Sequence, residues 1–237
     1  MISVVIATYN GELYLKQQLD SILSQLSNED EVIISDDHSA DQTVGIVESY
    51  HDPRLKLIMN DHKHRGYSGN FENALRHTKG SLIFMSDQDD VWLPGKVKRM
   101  VNALKHCDLV VSDAVVTDAN LNVLYPSHFE HAHVATGLLR NFTKTRYIGA
   151  CMAFKRSVLL KALPFPNNLK RCPHDYWISL IAEAFFKVEL IQEPLINYRR
   201  HENNASSGGV TKSTDTRFNQ VYRRLYCGMQ LLIRSFR

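Results

Sequence analysis

Strand and helix alternate through about the first 113 of the chain's 237 residues, which predicts an α/β fold: an open, mostly parallel sheet with helices on both faces. Two further observations point the same way. The strand-like runs are continuously apolar, as in strands buried on both faces. Polar residues cluster just where those runs end, at Thr8-Tyr9-Asn10, Asp36-Asp37 and Asp87 to Asp90. Ligands of open α/β sheets bind outside the carboxyl ends of the strands, so three segments aim their chemistry at one crevice.

The elements follow in order. Ile2–Ala7 is an unbroken apolar run of strand length, and Leu15, Leu19, Ile22 and Leu26 then recur at helical spacing. Glu31–Ser35 is the second strand, Asp41–Tyr50 the second helix and Leu55–Met59 the third strand. Phe71, Ala74, Leu75 and Thr78 mark a third helix, with Gly80 as its expected C-terminal cap. Ser81–Met85 is a fourth strand; Pro94 is expected in the first turn of a helix over Lys96–His106, and Asp108–Ser112 is a fifth strand. The second half loses this rhythm. Tyr125–His133 reads as a polar loop, Tyr147–Phe154 as a strand whose glycine keeps side chains out of the way, and Ser157–Leu163 as a helix. A helix begins near Pro173-His174-Asp175, a strand covers Val188–Tyr198, and Glu202–Thr216 is a Ser/Gly/Asn-rich linker.

Composition narrows the class. With 44% hydrophobic and 22% charged residues the chain is an ordinary globular one, neither disordered, collagenous nor coiled coil. A formal charge of +3 is too mild to indicate nucleic acid. No run reaches membrane-span length, and no basic segment precedes the first apolar run, so a cytosolic location is expected. Cys107, Cys151, Cys172 and Cys227 are widely spaced and form no C-x-x-C pair, which suggests neither a zinc site nor a disulfide framework. The sequons at Asn141 and Asn204 carry no weight without a secretory signal.

The sequence Ser86-Asp87-Gln88-Asp89-Asp90-Val91-Trp92 places three carboxylates within four residues at a strand end. Their repulsion is relieved by a hard divalent cation, Mg²⁺ or Mn²⁺, which completes its shell with phosphate oxygens; a solvated acidic turn is the plainer reading. Asp36-Asp37 adds a second acidic pair at a neighbouring strand end. No G-x-x-x-x-G-K-[ST] loop or G-x-G-x-x-G turn is present. Thr8-Tyr9-Asn10-Gly11 is a short polar turn that suits a nucleotide, or merely a helix N-cap at Asn10.

The ordered segments VVIATYN, VIISDDHSADQT, KGSLIFMSDQDDVW, PHDYW and YRRHENN resemble glycosyltransferase family 2 with the GT-A fold, over residues 1 to about 205. SDQDDVW is similar to the bacterial branch named rhamnosyltransferase-like, which builds O-antigens and capsules. The resemblance implies that Thr8, Tyr9, Asn10, Asp36 and Asp37 hold the nucleoside, and that Arg65 and Asn70 line the donor site. Asp87, with Gln88 beside it, would meet the ribose or sit near the metal; Asp89 would bind the metal, His201 would reach the metal or diphosphate, and Asp175 would be the catalytic base. It further implies a UDP- or dTDP-sugar donor and a glycan or polyprenyl-linked acceptor in surface polysaccharide synthesis, at the cytosolic face of the membrane. The implied division is a nucleotide-sugar half over 1–113, an acceptor and catalytic-base half over 114–205, and a linker with a basic amphipathic helix over 206–237.

The chemistry suits those residues. In an inverting transfer the acceptor hydroxyl attacks the anomeric carbon opposite the leaving diphosphate, and a carboxylate takes its proton. A divalent metal stabilises the leaving charge, helped by cations such as Arg65, Arg199 or Arg200. Bland readings stand beside these roles. Asp175 is also placed to cap the helix it opens, His174 reads as a neighbour, and Trp92 and Trp177 suit core packing at least as well as sugar stacking. His128, His131 and His133 lack a third-ligand pattern. The alternatives are a haloacid-dehalogenase-type phosphatase with Asp87 as nucleophile, whose motif normally follows the first strand and not the fourth, and a nucleotide-sugar-binding module without catalysis. Residues 217–237 form a basic amphipathic helix that lies on an anionic membrane, on the protein's own core or at a subunit contact; an oligomer is compatible with the sequence.

Overall fold

The structure, a computed structural model, describes residues 1–61, 66–143, 146–202, 204 and 217–236. Arg65 and nearly all of the expected linker lie outside the described residues. One sheet runs through the molecule in the order β3-β2-β1-β4-β8-β6-β9-β5, with β7 paired to β6. Its first half is β1 (Ile2–Thr8), β2 (Glu31–Asp36), β3 (Leu55–Met59) and β4 (Leu82–Ser86), all parallel. Their connecting helices are α1 (Leu15–Leu23), α2 (Thr43–Ser49) and α3 (Tyr67–Arg76). Val4, Val5 and Ile6 of the central strand are fully buried, as continuous apolar runs demand. The register places Thr8 opposite Asp36 and Ile6 opposite Ser86, so three strands end side by side.

The second half is mixed. β5 (Val91–Trp92) pairs antiparallel with β9 (Val188–Arg199), and β8 (Met152–Lys155) runs antiparallel between β4 and β6 (Leu109–Thr117). β9 lies parallel to β6 with Arg199 opposite Thr117, which carries Arg199 to His201 up to the loop after β4. The expected boundary after residue 113 falls inside β6, and the two halves share one sheet. The helices here are α4 (Lys96–Ala103), α5 (His128–Ala132), α6 (Leu138–Thr143), α7 (Arg156–Ala162), α8 (His174–Phe185) and α9 (Arg217–Ser235).

Several local expectations are corrected. Gly80 is not a helix cap, since His77 ends α3; a Cβ at Gly80 would stand 2.6 Å from the Ser3 backbone nitrogen, so glycine permits a close strand approach. Pro94 precedes the helix, and Gly95, with φ at +84°, is the residue before its first turn. The expected loop 125–133 contains α5, whose Ser127 hydroxyl accepts from Glu130 N. Residues 149–151 form a 3₁₀ turn ahead of β8 instead of a longer strand, and Gly149 lies close against α8, where a Cβ would come 3.1 Å from His174 Nε2. Trp92 and Trp177 are core residues, and His128 is buried with its ring nitrogen 2.8 Å from Arg146 O. No helix among the described residues is long and apolar enough to cross a membrane.

Candidate active site

The turn after β1 and the loop after β4 are stitched together by one side chain. Gln88 Oε1 accepts from Tyr9 N at 2.9 Å while its Nε2 donates to Tyr9 O at 3.1 Å. A Cβ at Gly11 would collide with this amide at 2.5 Å, which explains a glycine there. Asn10, at φ +48°, is not a helix cap: its Oδ1 accepts from Ala40 N and ties the turn to the loop after β2. Tyr9 and Asn10 are exposed at the crevice rim, whereas Thr8 is buried and donates to Asp36 Oδ2 at 2.8 Å.

Asp36 is fully buried, and its carboxylate accepts from Thr8, Ser39 N (2.7 Å) and Ser39 Oγ (2.6 Å). It is thus a strut that shapes the loop after β2. Asp37 is half-buried and accepts from Asn60 Nδ2 (2.9 Å) and Gly66 N (2.8 Å). Asn70 also lies beneath the crevice floor: 1% exposed, it donates to Thr8 O at 3.0 Å while its own Oδ1 has no partner among the described residues.

The three carboxylates of the loop after β4 take three different environments. Asp90 points inward, fully buried, with Oδ1 accepting from Arg199 N at 2.9 Å; burial and the charges of Asp89 and Asp87 raise its pKa well above the carboxylate range. Burial and like-charge repulsion thus favour the protonated form of Asp90 over its carboxylate, against the pull of Arg199 N and Lys96. Asp89 Oδ2 receives His201 Nε2 and Asn204 Nδ2, each at 2.9 Å. Asp87 faces the crevice half-buried; desolvation, then the charges of Asp89 and Asp175, push it up to about 7, against the pull of Arg200.

Arg199 is the hidden organiser. Its guanidinium is 4% exposed and donates to Asp89 O (2.7 Å), Ala119 O (2.6 Å) and the Gln17 amide oxygen, with the Tyr14 ring 4.5 Å away. The His201 ring also meets Tyr14, at 4.8 Å. Arg199 is thus bound to the loop backbone and does not face a leaving group; Arg200 is the cation whose charge reaches Asp87.

Asp175 stands second in α8, and among the described residues its carboxylate accepts one hydrogen bond, from Tyr176 N, while its main-chain oxygen accepts from Ser179 Oγ. Pro173 holds the cap position, so Asp175 does not cap the helix. After burial, its charge helps raise the pKa of Asp87 and of the Tyr67 hydroxyl, and the Tyr67 ring meets that of neighbouring His174 at 5.8 Å. His174 is buried, stacked on Phe71 at 4.2 Å with Nδ1 3.2 Å from Ser68 Oγ, and serves as a positioning neighbour of Asp175. Sequence reasoning missed Asn204, Gln17, Tyr14 and Tyr67. The segment YRRHENN contained a usable signal for Asn204 alone.

No three His, Cys, Asp or Glu side chains among the described residues form a ready-made metal cluster. The donor set present is sparse: Asp89 with His201 beside it, and Asp87, whose pKa burial and neighbouring charges raise to about 7. His201 Nδ1 is buried without a partner among the described residues. Such a set suits a hard divalent ion that takes most of its shell from phosphate and water.

The comparisons with known proteins agree with this geometry. The family model described as glycosyl transferase family 2 matches residues 3–163. The dTDP-rhamnosyl transferase RfbG of Shigella flexneri is 27% identical over 237 residues, covering 92% of this chain and 77% of that one. The UDP-Glc:alpha-D-GlcNAc-diphosphoundecaprenol beta-1,3-glucosyltransferase WfgD of Escherichia coli is 29% identical over 104 residues, 44% of this chain and 41% of that protein. S. aureus TarS 1-349, solved in complex with UDP-GlcNAc, matches at a TM-score of 0.69 and 20% identity over 99% of this chain and 72% of that chain. Another TarS 1-349 structure is matched over 60% of its length. A parallel half-sheet whose strand ends converge on an acidic loop, matched by the family model over most of its length, shows that the chain belongs to glycosyl transferase family 2 and is a glycosyltransferase of the GT-A fold.

Proposed function

We propose an inverting, metal-assisted transfer of a sugar from a UDP- or dTDP-linked donor to a hydroxyl of a glycan or lipid-linked acceptor in bacterial surface polysaccharide synthesis. What supports it is that the charge of Asp175 reaches Asp87 on the loop that also holds Asp89, and that the ring of His174 next to Asp175 meets Tyr67 at 5.8 Å. Tyr9, Asn10 and Asp37 line the nucleoside end, with Asp36 and Asn70 supporting it from below; Arg65 lies outside the described residues. The dTDP-rhamnosyl and diphosphoundecaprenol names of the relatives support the donor and acceptor classes.

Asp89 and His201 would hold a Mn²⁺ or Mg²⁺ ion, which when bound supplies Lewis-acid stabilisation of the diphosphate's growing charge. Asp175 accepts the proton of the attacking hydroxyl; its lightly hydrogen-bonded carboxylate is suited to that role, which typically supplies ~10²–10⁴-fold. Arg200 offsets negative charge beside Asp87. The test pairs nucleotide binding with transfer. UDP and dTDP are titrated with and without Mn²⁺, and transfer is assayed from UDP- and dTDP-sugars to a diphosphate-lipid acceptor. Asp175→Asn is expected to keep nucleotide binding and lose at least ~10²-fold in transfer. Undiminished transfer in that variant removes Asp175 from the mechanism.

A further inference from the structure

α9 (Arg217–Ser235) has one face packed on the protein and one left exposed by the described residues. Inward, Cys227 is fully buried with its thiol on Arg171 O, Phe142 packs against Gly228, and Arg234 donates to the carbonyls of Lys161, Leu163 and Pro164. Outward, Val221, Leu225, Met229, Leu232 and Phe236 recur at steps of four, four, three and four, and each is at least half exposed. Tyr222 and Ile233 widen that stripe to both sides. Helical periodicity thus gives α9 two faces, and the described residues cover only one of them. Exposed Leu139 and Leu160 stand on the helices that α9 touches.

The surroundings of the stripe are cationic. Residues 217–237 contain no Asp or Glu, and besides the inward-facing Arg234 the helix carries the half-exposed Arg223 and Arg224. The Arg171 guanidinium sits 3.9 Å from the centre of the Tyr222 ring, and Lys170 beside it is exposed. Arg224 donates to Thr143 O, which brings the exposed Arg140 of α6 alongside.

We propose that this face docks on an anionic lipid bilayer, with the apolar stripe in the headgroup–acyl boundary and the arginine rim on lipid phosphates. An apolar band rimmed by one sign of charge is complementary to a negatively charged interface. A second copy of the chain would instead set like-charged rims against each other. The inference stands on α9 and its rim, independent of the transferase reading, and membrane and nucleotide binding are scored separately.

The test is co-sedimentation of the full chain with vesicles of phosphatidylcholine alone and with added phosphatidylglycerol. Binding to the anionic vesicles is expected, at least ~10-fold tighter than to neutral ones and weakened by ~0.5 M salt. Leu225→Glu with Leu232→Glu removes that binding, and Arg140→Gln weakens it roughly fivefold. Both positions of the double variant are exposed, so melting temperature and UDP or dTDP binding stay at wild-type values. Absence of binding to anionic vesicles overturns the proposal, as does equal binding by the double variant. So does a dimer in sedimentation equilibrium that the double variant dissolves while vesicle binding is unchanged.

Discussion

Arg199→Ala tests whether the acidic loop is held from behind. The guanidinium is 4% exposed, donates to the main-chain oxygens of Asp89 and Ala119, and packs by the Tyr14 ring. Two charge-assisted hydrogen bonds to carbonyls contribute about 1.5 kcal/mol each, and the aromatic contact about 1 kcal/mol. Relief of the buried cation's desolvation offsets part of that, so a net loss of about 3 kcal/mol is expected. For a chain of this size that lowers the melting temperature by about 6–12 °C. Arg199→Lys restores one charge but not the fork that spans two carbonyls and an amide, and is expected to recover less than half of the loss. Because the Asp89 carbonyl loses its anchor, nucleotide affinity in the presence of Mn²⁺ falls in both variants by more than affinity without it. The measurements are thermal unfolding and calorimetric titration on the three proteins. A melting temperature within ~2 °C of wild type for Arg199→Ala refutes the argument, because it shows the clamp contributes under 1 kcal/mol.

Asp87 gives a pH-linked prediction. Its folded pKa of about 7 lies above the ordinary 3.8, so the folded state binds more protons between those values and stability from this group falls as pH rises through that window. Asp87→Asn is therefore expected to be more stable than wild type by ~1–3 kcal/mol at pH 8, but not at pH 4, while losing donor binding; urea unfolding at both pH values decides it. Lys96 has the opposite sign of window. Burial lowers its ammonium from 10.5 to about 8, so between those values the unfolded state binds more protons and stability rises with pH. Lys96→Met removes that rise, visible as a wild-type-minus-variant difference that changes between pH 8 and pH 10.5, and a constant difference contradicts it. Gly80→Ala drives a Cβ to within 2.6–2.8 Å of the Ser3 and Ile2 backbone; a loss of ~1–3 kcal/mol in chemical unfolding is expected, and a neutral result disproves the close approach.

Much of the first half was legible because its signals are local. Continuous apolar strands and helical stripes mark β1 to β4 and α1 to α3, and the polar residues at strand ends mark the crevice, since a parallel sheet gathers those ends on one edge. The second half was less so, because its elements are short and their neighbours are distant. β5 is two residues long and exists through its pairing with β9, a hundred positions away, and α5 depends on a Ser127 cap within a histidine-rich stretch. Gly80 showed the same limit: next to a helix end its sequence context favours a cap, while its actual neighbour is Ser3.

Sequence alone determined the kind of chemistry: carboxylates at successive strand ends, an Asp at the start of a helix, a His after the last strand, and an apolar-basic C-terminal helix. Tertiary structure decided what each carboxylate does. Asp36 turned inward as a strut, Asp90 became a buried acid, Asp89 was taken up by His201 and Asn204, and Asp87 was left at the crevice with a raised pKa. It also decided which face of α9 packs on the protein and which the described residues leave exposed. The reason is physical. Charge and periodicity are properties of neighbouring residues, but burial, and with it protonation and hydrogen-bond partnership, is set by segments that meet only when the sheet closes.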